Sequence, residues 1–135
     1  MIYVISQSNL EENKISSFNQ SWLQLTSLNI SRNKLININL NRSLYLTELN
    51  ISYNHLSDIY LGTQNYLKTL DLKSNRLEYF NQSNYANLSA LVELNINDNL
   101  LSILNITATH LLKLNIRNNL LKTYILNTPN LVYLD

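Results

Sequence analysis

The sequence predicts an α/β-type repeat solenoid, with parallel strands on one side and short extended or single-turn helical segments on the other. Two observations predict this fold: an eleven-residue pattern that recurs along the chain, and a second set of apolar residues that follows each copy. The chain has 135 residues, of which 45% are hydrophobic, so it can bury a core without disulfides.

The recurring pattern is LxxLxLxxNxL, where L stands for Leu or Ile. Five full copies begin at positions 20 to 24 residues apart: Leu25, Leu46, Leu67, Leu91 and Leu111. A weaker copy begins at Ile5, with Ser8 at an apolar position, and residues 131–135 open another. We therefore expect one domain over residues 1–135, with about five full repeats from Leu25 to about residue 130 and partial repeats at both ends. Because the last copy is cut off, we also expect a fragment of a longer array.

Each copy has the pattern of a strand that is buried on one face. Its second and third L alternate with polar residues, as Leu49 and Ile51 do. Such strands stack about 4.8 Å apart in a parallel sheet, and each repeat covers the apolar edge of its neighbour. The Asn of the pattern lies between apolar positions, so its amide needs hydrogen-bond partners once it is buried.

A second apolar register follows the Asn. In four of the six copies, apolar residues lie five and seven positions after it, as Ile38 and Leu40 do. This spacing predicts a short extended segment on the other side of the solenoid. The two exceptions share the string FNQS, at Phe18–Ser21 and Phe80–Ser83. We expect a bulkier turn at each of them, formed by one helical turn.

Through the LxxLxLxxNxL pattern the chain resembles the leucine-rich repeat family over nearly its whole length, in the style of insect immune and bacterial surface members. The resemblance implies a horseshoe or arc with the parallel sheet on its concave face and the extended or single-turn helical segments on its convex side. It also implies that the repeated Asn side chains form a ladder of hydrogen bonds with the backbone of adjoining turns. The ladder positions are Asn13, Asn33, Asn54, Asn75, Asn99 and Asn119.

Proteins of this kind bind partners on the concave face, and the outward positions of the sheet can be read from the pattern. As candidate contacts we choose residues on neighbouring central strands that carry charge, an amide or an amphipathic ring, with charged and aromatic types favoured at contacts. They are Glu48, Tyr53, Asp71, Lys73, Glu93, Asn95, Lys113 and Arg117. The alternative is that most of these positions form a solvated polar face.

The composition argues against several other functions. The net charge of +1 lacks the basic excess of a nucleic-acid binder, and no apolar run approaches the roughly 20 residues of a membrane span. The absence of Cys excludes disulfides and Cys-ligated metal sites, and no catalytic or phosphate-binding motif is present. We therefore expect no enzymatic activity, no catalytic residue, no cofactor and no bound metal.

The N-glycosylation pattern N-x-[ST] occurs seven times. If the protein is secreted from a eukaryotic cell, the best acceptors are those that we expect on convex turns: Asn19, Asn41, Asn81 and Asn87. A chain this rich in Asn, Ser and Thr also produces the pattern by composition alone, so a cytoplasmic location is the alternative.

The leading hypothesis is a non-catalytic recognition module that binds another protein through the concave face. It places the protein outside the cell or at the cell surface, with innate-immune recognition as one such role. The first alternative is a cytosolic scaffold or regulatory-subunit domain that uses the same face. The second is a structural repeat that associates with itself end to end, because exposed sheet edges and Asn-rich strands favour such association.

Overall fold

The computed structural model describes residues 5–19, 22–81 and 88–135, and their regular secondary structure consists of short strands. Most of these strands have three residues, and turns or irregular segments separate them. In chain order they are β1 (Gln7–Asn9), β2 (Ser27–Asn29), β3 (Glu48–Asn50), β4 (Thr69–Asp71), β5 (Tyr79–Asn81), β6 (Glu93–Asn95), β7 (Ile103–Thr107), β8 (Lys113–Asn115), β9 (Thr123–Asn127) and β10 (Tyr133–Leu134).

The strands form two parallel sheets. One has seven strands in the order β1-β2-β3-β4-β6-β8-β10, and the other has three strands in the order β5-β7-β9. Neighbouring strands are offset by one repeat, since Leu28 pairs with Leu49 and Leu49 pairs with Leu70. The chain is therefore a parallel β-solenoid of about six turns, which confirms the predicted repeat solenoid.

The helical segments that the sequence suggested are absent from the described residues. Extended backbone takes their place, because β5, β7 and β9 pair side by side in the second sheet. Phe80 and Asn81, which begin the second FNQS string, lie in β5, while Phe18 and Asn19 lie in irregular backbone. The remaining residues of both strings lie outside the described residues.

The α/β part of the predicted fold class is thus wrong for the described chain, and there is a physical reason. A strand advances about 3.3 Å per residue and a helix only about 1.5 Å. A repeat of 20 to 24 residues has to cross the solenoid and return to the next strand of the first sheet. Extended segments cover that distance with about half as many residues as a helix needs.

Both apolar registers supply the core. The middle residues of the central strands are buried: Leu28, Leu49, Leu70, Leu94 and Leu114. The second register packs into the same cluster through Phe18, Ile38, Ile59, Phe80 and Leu104. In β1 the middle residue is Ser8, which is half-buried. Burial of a Leu, Ile or Phe side chain contributes about 1.5–3 kcal/mol to the free energy of folding, so the stacking of turns on one another stabilises the solenoid.

The side chains of the repeated asparagines connect successive turns. Asn54 Nδ2 donates to Ile30 O in the preceding turn and to Ile51 O in its own turn, both at 3.1 Å. Asn54 Oδ1 accepts from the Leu35 amide of the preceding turn at 2.9 Å. The same arrangement recurs at Asn33, Asn75, Asn99 and Asn119. Asn13 is exposed and bonds Leu10 O of its own turn at 3.0 Å.

The residue directly before each ladder asparagine has a left-handed backbone. Its φ lies between 53° and 57° in all six turns, and none of the residues is glycine: Glu12, Arg32, Tyr53, Ser74, Asp98 and Asn118. This conformation costs an L-residue about 1–2 kcal/mol. The hydrogen bonds of the following asparagine offset that cost, so the left-handed residue and the ladder asparagine act as one structural unit.

Candidate functional site

The solvent side of the seven-stranded sheet, together with the turns that follow its strands, forms the candidate site, which we call the sheet face. Each central strand buries its middle residue and leaves the flanking residues more exposed, as Glu93 and Asn95 are beside Leu94. Five predicted contacts lie in strands: Glu48 in β3, Asp71 in β4, Glu93 and Asn95 in β6, and Lys113 in β8. The other three follow β3, β4 and β8: Tyr53, Lys73 and Arg117.

Several charged side chains of the sheet face pair with one another between turns. Lys113 Nζ lies 2.6 Å from Glu93 Oε1, and Lys73 Nζ lies 3.7 Å from Asp98 Oδ2. Ser27 Oγ donates to Glu48 Oε2 at 3.2 Å. Surface ion pairs contribute only about 0–1 kcal/mol to stability, so these charges are available for recognition without being needed for the fold.

A continuous row of polar contacts runs along the left-handed turns. Arg32 Nε lies 3.5 Å from Glu11 Oε1, and the Arg32 guanidinium carbon lies 4.6 Å from the centre of the Tyr53 ring. Lys73 Nζ, which belongs to the next turn, is 5.7 Å from the centre of the same ring. The row ends where Asn118 Nδ2 donates to Asp98 Oδ1 at 2.7 Å. We call it the turn row: Glu11, Arg32, Tyr53, Lys73, Asp98 and Asn118.

The turn row includes functional candidates that the sequence analysis missed. Arg32 and Asp98 were not among the predicted contacts, although each is charged and stands directly before a ladder asparagine. A Tyr53 ring flanked by two cations has favourable cation–π contacts on the sheet face. The pKa of Lys73 is raised, first by a side-chain hydrogen bond with Tyr53 and next by electrostatic interaction with the same residue.

Asp71 is a partly buried carboxylate of the sheet face. Its Oδ1 accepts from the Lys73 amide at 2.9 Å. The equivalent asparagines hold the same turn in other repeats, since Asn29 and Asn50 accept from the amides of Ser31 and Ser52. Burial raises the pKa of Asp71 more strongly than its hydrogen bonds and Lys73 lower it. A carboxyl group thus stands where most repeats have a neutral amide.

The last of these turns departs from the others. The Arg117 amide donates to Asn97 Oδ1 of the preceding turn at 2.8 Å, instead of to Asn115 in its own turn. Asn115 Oδ1 is buried and has no hydrogen-bond partner among the described residues. The Arg117 amide is consequently bonded to the neighbouring turn and not to the strand that precedes it.

Two depressions lie in the sheet face. The larger measures about 340 Å³ and is lined by residues of β2, β3 and β4, which are polar or charged apart from Leu28 and Leu49 and include Glu48 and Asp71. The smaller measures about 160 Å³ and lies between β4, β6 and β8. It brings together four of the predicted contacts: Asp71, Glu93, Asn95 and Lys113. A partner side chain in this depression would meet both signs of charge.

Two of the four predicted glycosylation acceptors are exposed outside the strands, namely Asn19 and Asn41. Asn81 lies within β5 and is half-buried, so it does not occupy the convex turn that the sequence suggested. Asn87 lies outside the described residues.

The described residues contain no group of three His, Cys, Asp or Glu side chains that could hold a metal ion. Nor do they contain a helix of the length and apolarity that a membrane crossing requires. In the comparisons with known proteins, no family model matches the chain, and neither the curated proteins nor the solved structures provide a significant match.

We predict that Asp71→Asn stabilises the protein at pH 7 by less than about 1 kcal/mol, because it removes a charge whose burial is only partly compensated. Asparagine keeps the oxygen that accepts from the Lys73 amide. Since burial raises the pKa of Asp71 in the folded state, the advantage of the variant is present at neutral pH. It shrinks as the pH falls and disappears below the unfolded pKa of about 3.9.

Urea unfolding of both proteins between pH 3 and pH 7 measures this difference, with Asp58→Asn as the matched change at an exposed position. A variant Asp71→Asn that is less stable than the natural chain at pH 7 would show that the Asp71 charge stabilises the fold.

Proposed function

We propose that the chain is a leucine-rich repeat recognition module that binds another protein through the sheet face. One observation carries this proposal: residues that hold the fold recur from turn to turn, while the outward residues beside them change. The position before the buried Leu is Ser27, Glu48, Thr69, Glu93 and Lys113 in successive strands. The ladder position is Asn in every turn. The outward position before the buried Leu thus varies in size and charge while the ladder position does not, and this variation supports recognition at the sheet face.

The chemistry of the sheet face favours a polar partner surface of mixed charge. Acidic Glu48 and Asp71 line the larger depression, and basic Lys73, Lys113 and Arg117 lie toward the C-terminal turns. Complementary charges of this kind direct orientation and association rate more than they add affinity. Tyr53 adds an amphipathic ring, a type that is enriched among residues that dominate binding.

The resemblance to leucine-rich repeat proteins also supports an extracellular or cell-surface location, with innate-immune recognition as one role. Exposed Asn19 and Asn41 are the proposed glycan acceptors. The alternative is a cytosolic scaffold or regulatory domain that binds through the same face. Loss of glycan-sized mass when the native protein is enzymatically deglycosylated supports secretion, whereas unmodified asparagines support the cytosolic alternative.

We predict that neutralising Lys73, Lys113 and Arg117 to Gln weakens partner binding at least tenfold, because three cations leave the sheet face together. Glutamine avoids placing a like charge beside Asp98 or Glu93, so the melting temperature should change by no more than a few degrees. The matched control neutralises Lys14, Lys34 and Lys122, which are exposed and lie outside the sheet face.

In the first step, the binding partner is captured on the immobilised chain from secreted and cytosolic fractions of the source of the protein. Affinities are then determined with the purified partner for the natural chain and both triple variants. A partner that binds the sheet-face variant and the control variant equally well would refute the assignment of the sheet face.

The C-terminal end supports a second candidate function, end-to-end self-association. Leu134 in β10 is 54% exposed, whereas Leu114, its partner in β8, is buried. Tyr124 in β9 is 68% exposed, while its partner Leu104 in β7 is buried. Exposed apolar side chains on parallel strands such as these favour association.

If this end associates, light scattering should show a molar mass that rises with protein concentration. Leu134→Glu should return the mass to that of a monomer, because it places a charge in the apolar contact. Leu23→Glu is the control, since Leu23 is 62% exposed far from the C-terminal turn in sequence. A constant monomer mass of the natural chain over the whole series would exclude the second candidate.

A further inference from the structure

Two tyrosines stack on the surface outside the sheet face. The ring centres of Tyr45 and Tyr66 are 6.0 Å apart, and their planes differ by 18°. Both residues remain about half exposed, at 49% and 53%. They occupy the same position in successive turns, directly before Leu46 and Leu67, in the segments that lead into β3 and β4.

The fold does not require aromatic residues at this position. No other copy has an aromatic residue at this position, where the residues are Val4, Gln24, Ala90, His110 and Asn130. The tyrosines are also not part of the buried core, whose cluster begins one residue later with Leu46 and Leu67. Two large rings held half in solvent therefore have no role that the repeat explains.

The stacked rings line a surface depression of about 360 Å³, which is within the size range of small-ligand sites. Its other lining residues are Leu44, Thr63 and Asn65. The depression thus combines two tyrosine rings, the hydroxyl groups of those tyrosines and of Thr63, and one amide, and none of its lining residues is charged.

We propose that this depression binds a neutral saccharide. A sugar ring has an apolar C–H face, which packs on aromatic rings, and hydroxyl groups at its edge, which bond to polar groups such as those of Thr63 and Asn65. We call the depression the tyrosine site: Leu44, Tyr45, Thr63, Asn65 and Tyr66.

Other ligand classes fit the lining less well. A single-stranded nucleic acid also stacks on tyrosine but needs a basic groove, and the lining has no Lys or Arg. An anion or a metal ion would find no charged partner there. A purely apolar side chain would leave the Thr63 hydroxyl facing apolar surface, which costs free energy.

The proposal is independent of the function assigned to the sheet face. None of the residues of the tyrosine site belongs to the sheet face or the turn row. The triple variant of Lys73, Lys113 and Arg117 should therefore bind a saccharide as well as the natural chain does. A negative result for binding at one site would therefore leave the proposal for the other site unaffected.

We predict that the full chain binds a neutral oligosaccharide from an array that includes glucose, galactose, mannose and N-acetylglucosamine polymers. Calorimetric titration with that oligosaccharide should show affinity lowered about tenfold by Tyr45→Ala and by Tyr66→Ala, because each removes one ring of the stack. Tyr45→Phe and Tyr66→Phe keep the rings and should bind within a few-fold of the natural chain. The control Tyr60→Ala removes a ring that is 55% exposed and does not line the site, so it should leave the affinity unchanged.

Thr63→Val tests the polar part of the site, because it removes the hydroxyl group and keeps the shape of the side chain. Saccharide affinity should fall several-fold while the melting temperature stays within a few degrees of the natural value. If an alanine variant fails to fold, this variant and the two phenylalanine variants decide the question.

Three results would overturn the proposal. The first is that no neutral oligosaccharide on the array binds at millimolar concentration. The second is that binding occurs but is unchanged by Tyr45→Ala, Tyr66→Ala and Thr63→Val. The third is that only anionic glycans, an oligonucleotide or an apolar dye binds, which would assign the tyrosine site to a different class of ligand.

Discussion

The hydrogen bonds of the ladder asparagines are the constraint on which the solenoid depends. Asn54 bonds Ile30 O and the Leu35 amide in the turn before it, and Ile51 O in its own turn. One side chain thereby satisfies backbone groups that would otherwise be buried without partners where two turns meet. It also fixes the offset of one turn on the next, because a slip by one residue would turn the apolar set of each strand outward.

The residues that hold the fold are separate from the residues that face solvent, and this separation explains how the surface can carry function. The core Leu and Ile residues and the ladder hold each turn, so the sheet face can change its charges at little cost to stability. The residues of the turn row vary in the same way, since Arg32, Tyr53 and Asp98 occupy the left-handed position in different turns. The tyrosine site uses a third position, directly before the first Leu of the repeat, where the fold tolerates residues as different as Ala90 and Tyr66.

Periodicity was enough to predict the parallel register, since the pairing of Leu28 with Leu49 follows from the repeat length. It was also enough to place the eight contact candidates on the first sheet or in its turns. It did not predict the left-handed residues, because Glu12, Ser74 and the other four differ in size and charge and none of them is glycine. The stacking of Tyr45 on Tyr66 depends on how successive turns approach, and the pattern of single residues does not encode that distance. The helical turns were wrong because the length of a repeat, and not local preference, decides the conformation of the returning segment.

The most direct test of this account compares Asn54→Ala with Asn13→Ala by urea unfolding at equilibrium. Asn54 is buried and joins two turns, whereas Asn13 is exposed and bonds backbone carbonyls of its own turn. We predict that Asn54→Ala lowers the free energy of unfolding by about 1–3 kcal/mol for each buried backbone group left unpaired. The total loss should be at least twice the loss that Asn13→Ala causes. Equal losses for the two variants would contradict the claim that the ladder holds the turns together.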